Sequence, residues 1–147
     1  MSTIIEALKA VESILERLGN VEKAIRRMIT TLKTEEELEP EDVNTFIETY
    51  FYVLETFKRS YETAIVEPFL LYQRPPPERL ESIFMTIHDI LNEYDKVMLQ
   101  YPVKTREKQA ELLASFLKSI KEKTQKIEKE IEELQKEITE EETTTEF

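Results

Sequence analysis

The chain has 147 residues, with 31 Asp or Glu against 20 Lys or Arg, a formal charge of −11. It carries 1 Gly, 1 His and no Cys. These counts exclude disulfides, thiolate metal sites, Cys nucleophiles, glycine-rich phosphate loops and multi-histidine metal centres, and the acid excess opposes broad binding to a phosphate backbone. Hydrophobic residues make up 40 %, enough for a core and unlike a disordered chain.

Apolar residues recur with helical spacing almost throughout, and no period-2 strand pattern stands out. The expected class is all-α: a five-helix antiparallel bundle in one domain, 1–141, with a long coiled-coil-like C-terminal helix. The first helix is expected over 3–18. Thr3 and Glu6 have capping-box spacing, and Ile4, Leu8, Val11, Leu15 and Leu18 form its seam. Gly19 is expected to end it, Asn20 to cap a second helix over 21–33, and the pair to fold as a hairpin.

Residues 34–42, TEEELEPED, hold six acids. Pro40 suits the first turn of a third helix, where acids meet the positive end of the dipole. That helix reads to about 66 or on to 73, through Val43, Phe46, Tyr50, Leu54 or Val53, Phe57, Tyr61 and Ile65, with Phe51 and Tyr52 widening its apolar face, and is expected to be the most central. Pro68 is expected to kink it or end it at Glu67. Residues 68–77, PFLLYQRPPP, read as irregular and apolar, with Pro75, Pro76 and Pro77 extended. A fourth helix is expected over 77–101, stopped by Pro102. Thr105 is expected to cap a fifth over 105–141, and 142–147, which have no pattern, to be a disordered tail.

The fifth helix carries the most regular signal. Leu113, Leu117, Ile120, Thr124, Ile127, Ile131, Leu134 and Ile138 alternate steps of 4 and 3 without a slip. At 1.5 Å per residue it would be ~55 Å long and outrun the fourth helix. Its C-terminal seam, Thr124, Ile127, Ile131, Leu134 and Ile138, therefore needs another partner, either the first two helices or another chain.

The candidates for chemistry are few. His88 lies one position past the seam residue Ile87, and its neighbour Asp89 points elsewhere on a helix. A di-metal bundle needs a Glu three residues before a histidine, and that position holds Met85. Neither cofactor nor metal is expected. Lys23, Arg26, Arg27 and Lys33 make a small basic patch, read as a solvated helix face or a docking patch for an acidic partner. Gln109, Leu112 and Phe116 resemble the short motif by which proteins dock on sliding clamps, although Ser115 stands where that motif wants an aromatic.

The expected function is a non-enzymatic structural or protein-interaction module that assembles through helix faces, with a protein partner or a second copy meeting the C-terminal helix. The alternative is an acidic inhibitor whose carboxylates Glu35, Glu36, Glu37 and Glu39, with those of the last helix, stand in for phosphates in a basic channel. No direct nucleic-acid contact and no membrane contact are expected. Residues 1–18 lack a basic leader and contain Glu6, Glu12 and Glu16, so a cytoplasmic location is expected. The 28 Glu against 3 Asp, with few Asn and Gln, resemble a thermophile composition.

Overall fold

The computed structural model describes residues 2–145, with side chains described over 3–140. Among the described residues there is no strand. The elements are α1 (Ser2–Lys33), α2 (Pro40–Tyr61), a π turn (Glu62–Val66), α3 (Glu67–Tyr72), α4 (Glu78–Gln100), a 3-10 turn (Tyr101–Val103) and α5 (Arg106–Thr145). α2, the π turn and α3 follow one another without a break, so the described residues form four rods rather than five.

The hairpin expected at Gly19 is absent. α1 runs through Gly19 and Asn20, and Gly19 does not take a positive φ. The reason is a seam that crosses the glycine without a slip. Val11, Ile14, Leu18, Val21, Ile25, Met28 and Leu32 are all buried, and they step by 3 and 4. A mid-helix glycine costs about 1 kcal/mol against alanine, less than burying one of those neighbours contributes. The helix starts at Ser2, so Thr3 lies inside it rather than capping it.

Pro68 does not end its rod at Glu67. A proline lacks the amide that would bond the carbonyl four residues back, and its ring crowds that carbonyl. Here the preceding turn is widened: the Glu67 N–H donates to the Glu62 carbonyl, five residues back. The rod then continues to Tyr72, near the longer of its two expected ends, and takes in the first part of the stretch that reads as irregular. Gln73 ends it in the left-handed region (φ 52°), and the Arg74 N–H closes the cap on the Pro68 carbonyl at 3.2 Å. α5 reaches Thr145, so the disordered tail expected from Glu142 is helical to that point, and 146–147 lie outside the described residues.

α1 packs along α2 and α5, and α4 packs along α5 and α2, closing a ring of four. Neighbours run antiparallel, as paired contacts show: Arg27 with Asp42 and Ser13 with Tyr52 between α1 and α2, and Ser82 with Glu130 and Arg79 with Glu137 between α4 and α5. The 40–72 rod is not the most central. α2 buries only Asp42, Phe46, Thr49 and Val53, whereas α4 buries Leu80, Ile83, Phe84, Thr86, Ile87, Ile90, Leu91, Tyr94 and Val97.

The 34–39 loop is tied down from the side. Leu38 packs against the core, and an Arg106 Nη donates to the carbonyls of Thr31 and Glu36, linking the end of α1 to the start of α5. Thr105 caps α5 as expected, with the Lys108 N–H 3.4 Å from its hydroxyl.

Candidate functional site

The C-terminal seam is covered by this chain's own helices. Ile127, Ile131 and Leu134 are buried, and Ile138 packs against the core from its edge. α5 is flanked here by α1 and by the first turns of α4, where Ser82 donates to Glu130 at 2.9 Å. Thr124 is half-buried and donates its hydroxyl to the Lys121 carbonyl at 3.1 Å. One long α1, rather than a hairpin, is what reaches far enough to cover this half of α5.

Glu35, Glu36, Glu37 and Glu39 are all exposed. They share the loop that Arg106 holds, with Glu35 in the left-handed region (φ 63°). The structure does not bring these acids together with the C-terminal seam. They flank the loop end of the bundle, while Ile131 and Leu134 lie towards the opposite end, near the start of α4.

His88 is exposed, with the Asn92 amide 3.4 Å from its Nδ1 and the Phe57 ring centroid 6.1 Å away. Among the described residues no group of three or more His, Asp or Glu is arranged to hold a metal ion. The clamp-like segment is committed to the fold. Phe116 is 1 % exposed, with ring centroids 4.9 Å from Tyr94 and 6.3 Å from Phe46, and Gln109 donates to the Tyr101 carbonyl at 2.9 Å.

The feature that sequence reasoning missed is α3. Phe69, Leu70, Leu71 and Tyr72 are 55 %, 71 %, 69 % and 67 % exposed. The main contact of α3 is the π turn that leads into it. Its side chains project where the 40–72 rod passes the start of α1; Ala64 in the π turn is already level with Thr3, Glu6 and Ala7. The Arg74 guanidinium lies 5.5 Å from the Tyr72 ring centroid, and Glu67 and Glu78 flank the patch. Together the four side chains offer on the order of 500 Å² of mainly apolar surface, in the range of patches that carry function. The signal was present in the sequence. Four consecutive apolar residues cannot all face one core from a helix, so a helical FLLY must expose part of the run.

Among the described residues no helix is long and apolar enough to cross a membrane. Comparison with protein-family models, with curated proteins and with solved structures finds no match to this chain.

Proposed function

We propose that the chain is a non-enzymatic protein-interaction module that assembles through a helix face, and that the face is α3. The observation that carries this reading is the row of exposed side chains Phe69 to Tyr72 on a helix whose main contact is the turn that leads into it. Apolar surface of that size, left in water, is a standing cost that a partner removes. A standard interface needs about 800 Å² per partner, so α3 acts as the central anchor of a wider contact. The proposed partner is a protein or a second copy, and the contact lies on α3 rather than on the C-terminal helix, whose seam α1 and α4 occupy.

The test is the double substitution Leu70→Glu with Leu71→Glu. Wild-type mass in solution should rise with concentration, or the tagged chain should retain a partner from its native lysate, and the double variant should lose that behaviour while keeping its melting temperature. Identical mass and identical capture in the two proteins overturn the reading.

The acidic-inhibitor reading draws on one further observation: all four loop carboxylates are exposed. It is tested separately, by salt-sensitive binding to a basic protein that is lost on Glu→Gln substitution at 35, 36, 37 and 39.

A further inference from the structure

A polar groove of about 300 Å³ runs between α1 and α2. Arg17, Asn20, Lys23 and Arg27 line it from α1, on one stripe of that helix, and Thr45, Glu48 and Thr49 line it from α2. Three cationic side chains thus meet one acid among the lining residues, in a chain whose formal charge is −11.

The cations are held in ways that leave donors open. The Arg17 guanidinium stacks 4.2 Å from the Tyr52 ring centroid, and the Tyr52 hydroxyl is itself hydrogen-bonded to Ser13. Stacking uses the face of the guanidinium and leaves its N–H edge free for an acceptor. Arg27 commits only its Nε–H, 2.8 Å from the Asp42 carboxylate, whose side chain is 6 % exposed. Its terminal amino groups have no acceptor among the described residues. Lys23, between the two, has neither an ion pair nor a hydrogen bond among the described residues.

Thr49 adds a further open donor to the groove. It is 3 % exposed and lines the groove, yet its hydroxyl bonds no described residue. Four other helical threonines bond the carbonyl four residues back, Thr30 to Arg26, Thr31 to Arg27, Thr86 to Ser82 and Thr139 to Gln135, and Thr124 bonds the carbonyl three back. Thr49 does not, although the Thr45 carbonyl lies at that spacing. The hydroxyl is not sealed from solvent, and it lines the same groove as two arginines and a lysine, where it can donate to an acceptor.

We propose that this groove binds a small phosphate-bearing molecule. Arg17, Lys23 and Arg27 neutralise the dianion, Thr49 donates to a phosphate oxygen, and Glu48 accepts from a hydroxyl or ammonium group elsewhere on the ligand. The preferred class is therefore a phosphate monoester that also carries such a group. The groove is too small for a polymer, and the overall charge repels one.

The test is a titration of the intact chain at low ionic strength, followed by calorimetry and amide chemical shifts. The probes are inorganic phosphate and O-phosphoethanolamine. Both should bind saturably at one site, with the shifts centred on Lys23 and Thr49 and O-phosphoethanolamine the tighter ligand. Lys23→Ala and the near-isosteric Thr49→Val should each weaken binding about tenfold. Lys9→Ala, which removes one charge from an exposed position of the same helix, should leave it unchanged. Glu48→Gln should abolish the preference for O-phosphoethanolamine. Circular dichroism of Thr49→Val checks that the α1–α2 contact survives, and Lys23→Ala serves alone if it does not. Lack of saturation with both probes overturns the proposal. So does equal weakening by Lys9→Ala and Lys23→Ala, which would reduce the effect to bulk charge.

Discussion

Tyr94 donates its hydroxyl to the backbone carbonyl of Phe46, across the contact between α4 and α2. Its ring centroid is 4.9 Å from that of Phe46 and 4.9 Å from that of Phe116, so one fully buried residue joins α2, α4 and α5. The Phe46 carbonyl also has the helical amide of Tyr50 within α2, so the tyrosine adds a second bond to an acceptor already in use.

Tyr94→Phe therefore removes one hydrogen bond and strands no helical acceptor. The expected loss is about 1 kcal/mol, or about 2–4 °C in melting temperature. Tyr94→Ala also opens a cavity and should cost about 3–5 kcal/mol. Burial pushes the Tyr94 hydroxyl far above the ordinary tyrosine range. Its folded pKa is thus above its unfolded one, so the stabilisation is full below about pH 10 and is lost as pH rises further, because the unfolded chain ionises first. Denaturation followed from pH 8 upward should show Tyr94→Phe losing less stability in alkali than the wild type.

Gly19 sits within α1, takes helical geometry, and a Cβ placed there meets nothing within 4 Å. Gly19→Ala should stabilise the chain by about 1 kcal/mol, raising the melting temperature by about 2–4 °C. A glycine required by a left-handed turn would give the opposite sign, so a single thermal melt separates the two.

That glycine also shows what the sequence made legible and what it did not. Helical class, the start of α2 at Pro40, the Thr105 cap and the seam of α5 all follow from local chemistry, and they stand in the structure. Gly19 followed by Asn20 reads locally as stop and start, yet tertiary burial of Leu18 and Val21 on either side overrides that signal. Pro68 reads as a break because the energy of a widened turn is invisible in composition. The candidate sites depend on which faces meet. Arg17, Lys23 and Arg27 were visible as basic residues, but Thr45, Glu48 and Thr49 join them only through the α1–α2 register. The run Phe69–Tyr72 reads as apolar, but its exposure depends on how the helices pack around it.

Glu22 faces α5 with one carboxylate oxygen buried and unbonded. Desolvation by burial raises its pKa above the ordinary carboxylate range; Glu128 adds to the rise, and Arg26 and Lys121 oppose it. A raised folded pKa means that ionised Glu22 costs stability at neutral pH, and that the cost disappears as pH falls below the unfolded carboxylate pKa of about 4.3. Glu22→Gln should therefore melt higher than the wild type at pH 7, with the difference closing towards pH 4. A lower melting temperature at pH 7 would mean that attraction to Arg26 and Lys121 outweighs desolvation.

The paired substitution Ile131→Glu with Leu134→Glu asks whether the C-terminal seam serves the fold or an assembly. Ile131 is 7 % exposed and Leu134 2 %, both in the core shared with α1 and α4. Burying each side chain contributes about 1.5–3 kcal/mol, and placing carboxylates there adds a desolvation penalty. The pair should thus cost on the order of 3–6 kcal/mol or more, a large part of a domain's net stability of about 5–15 kcal/mol. The expected result is a steep fall in melting temperature, while the molecules that stay folded keep the wild-type mass at matched concentration. Leu70→Glu with Leu71→Glu should behave in the opposite way, because both leucines are exposed: melting unchanged within about 0.5 kcal/mol, association lost. A seam pair that left melting intact and dissociated an oligomer would move the assembly surface from α3 back to α5.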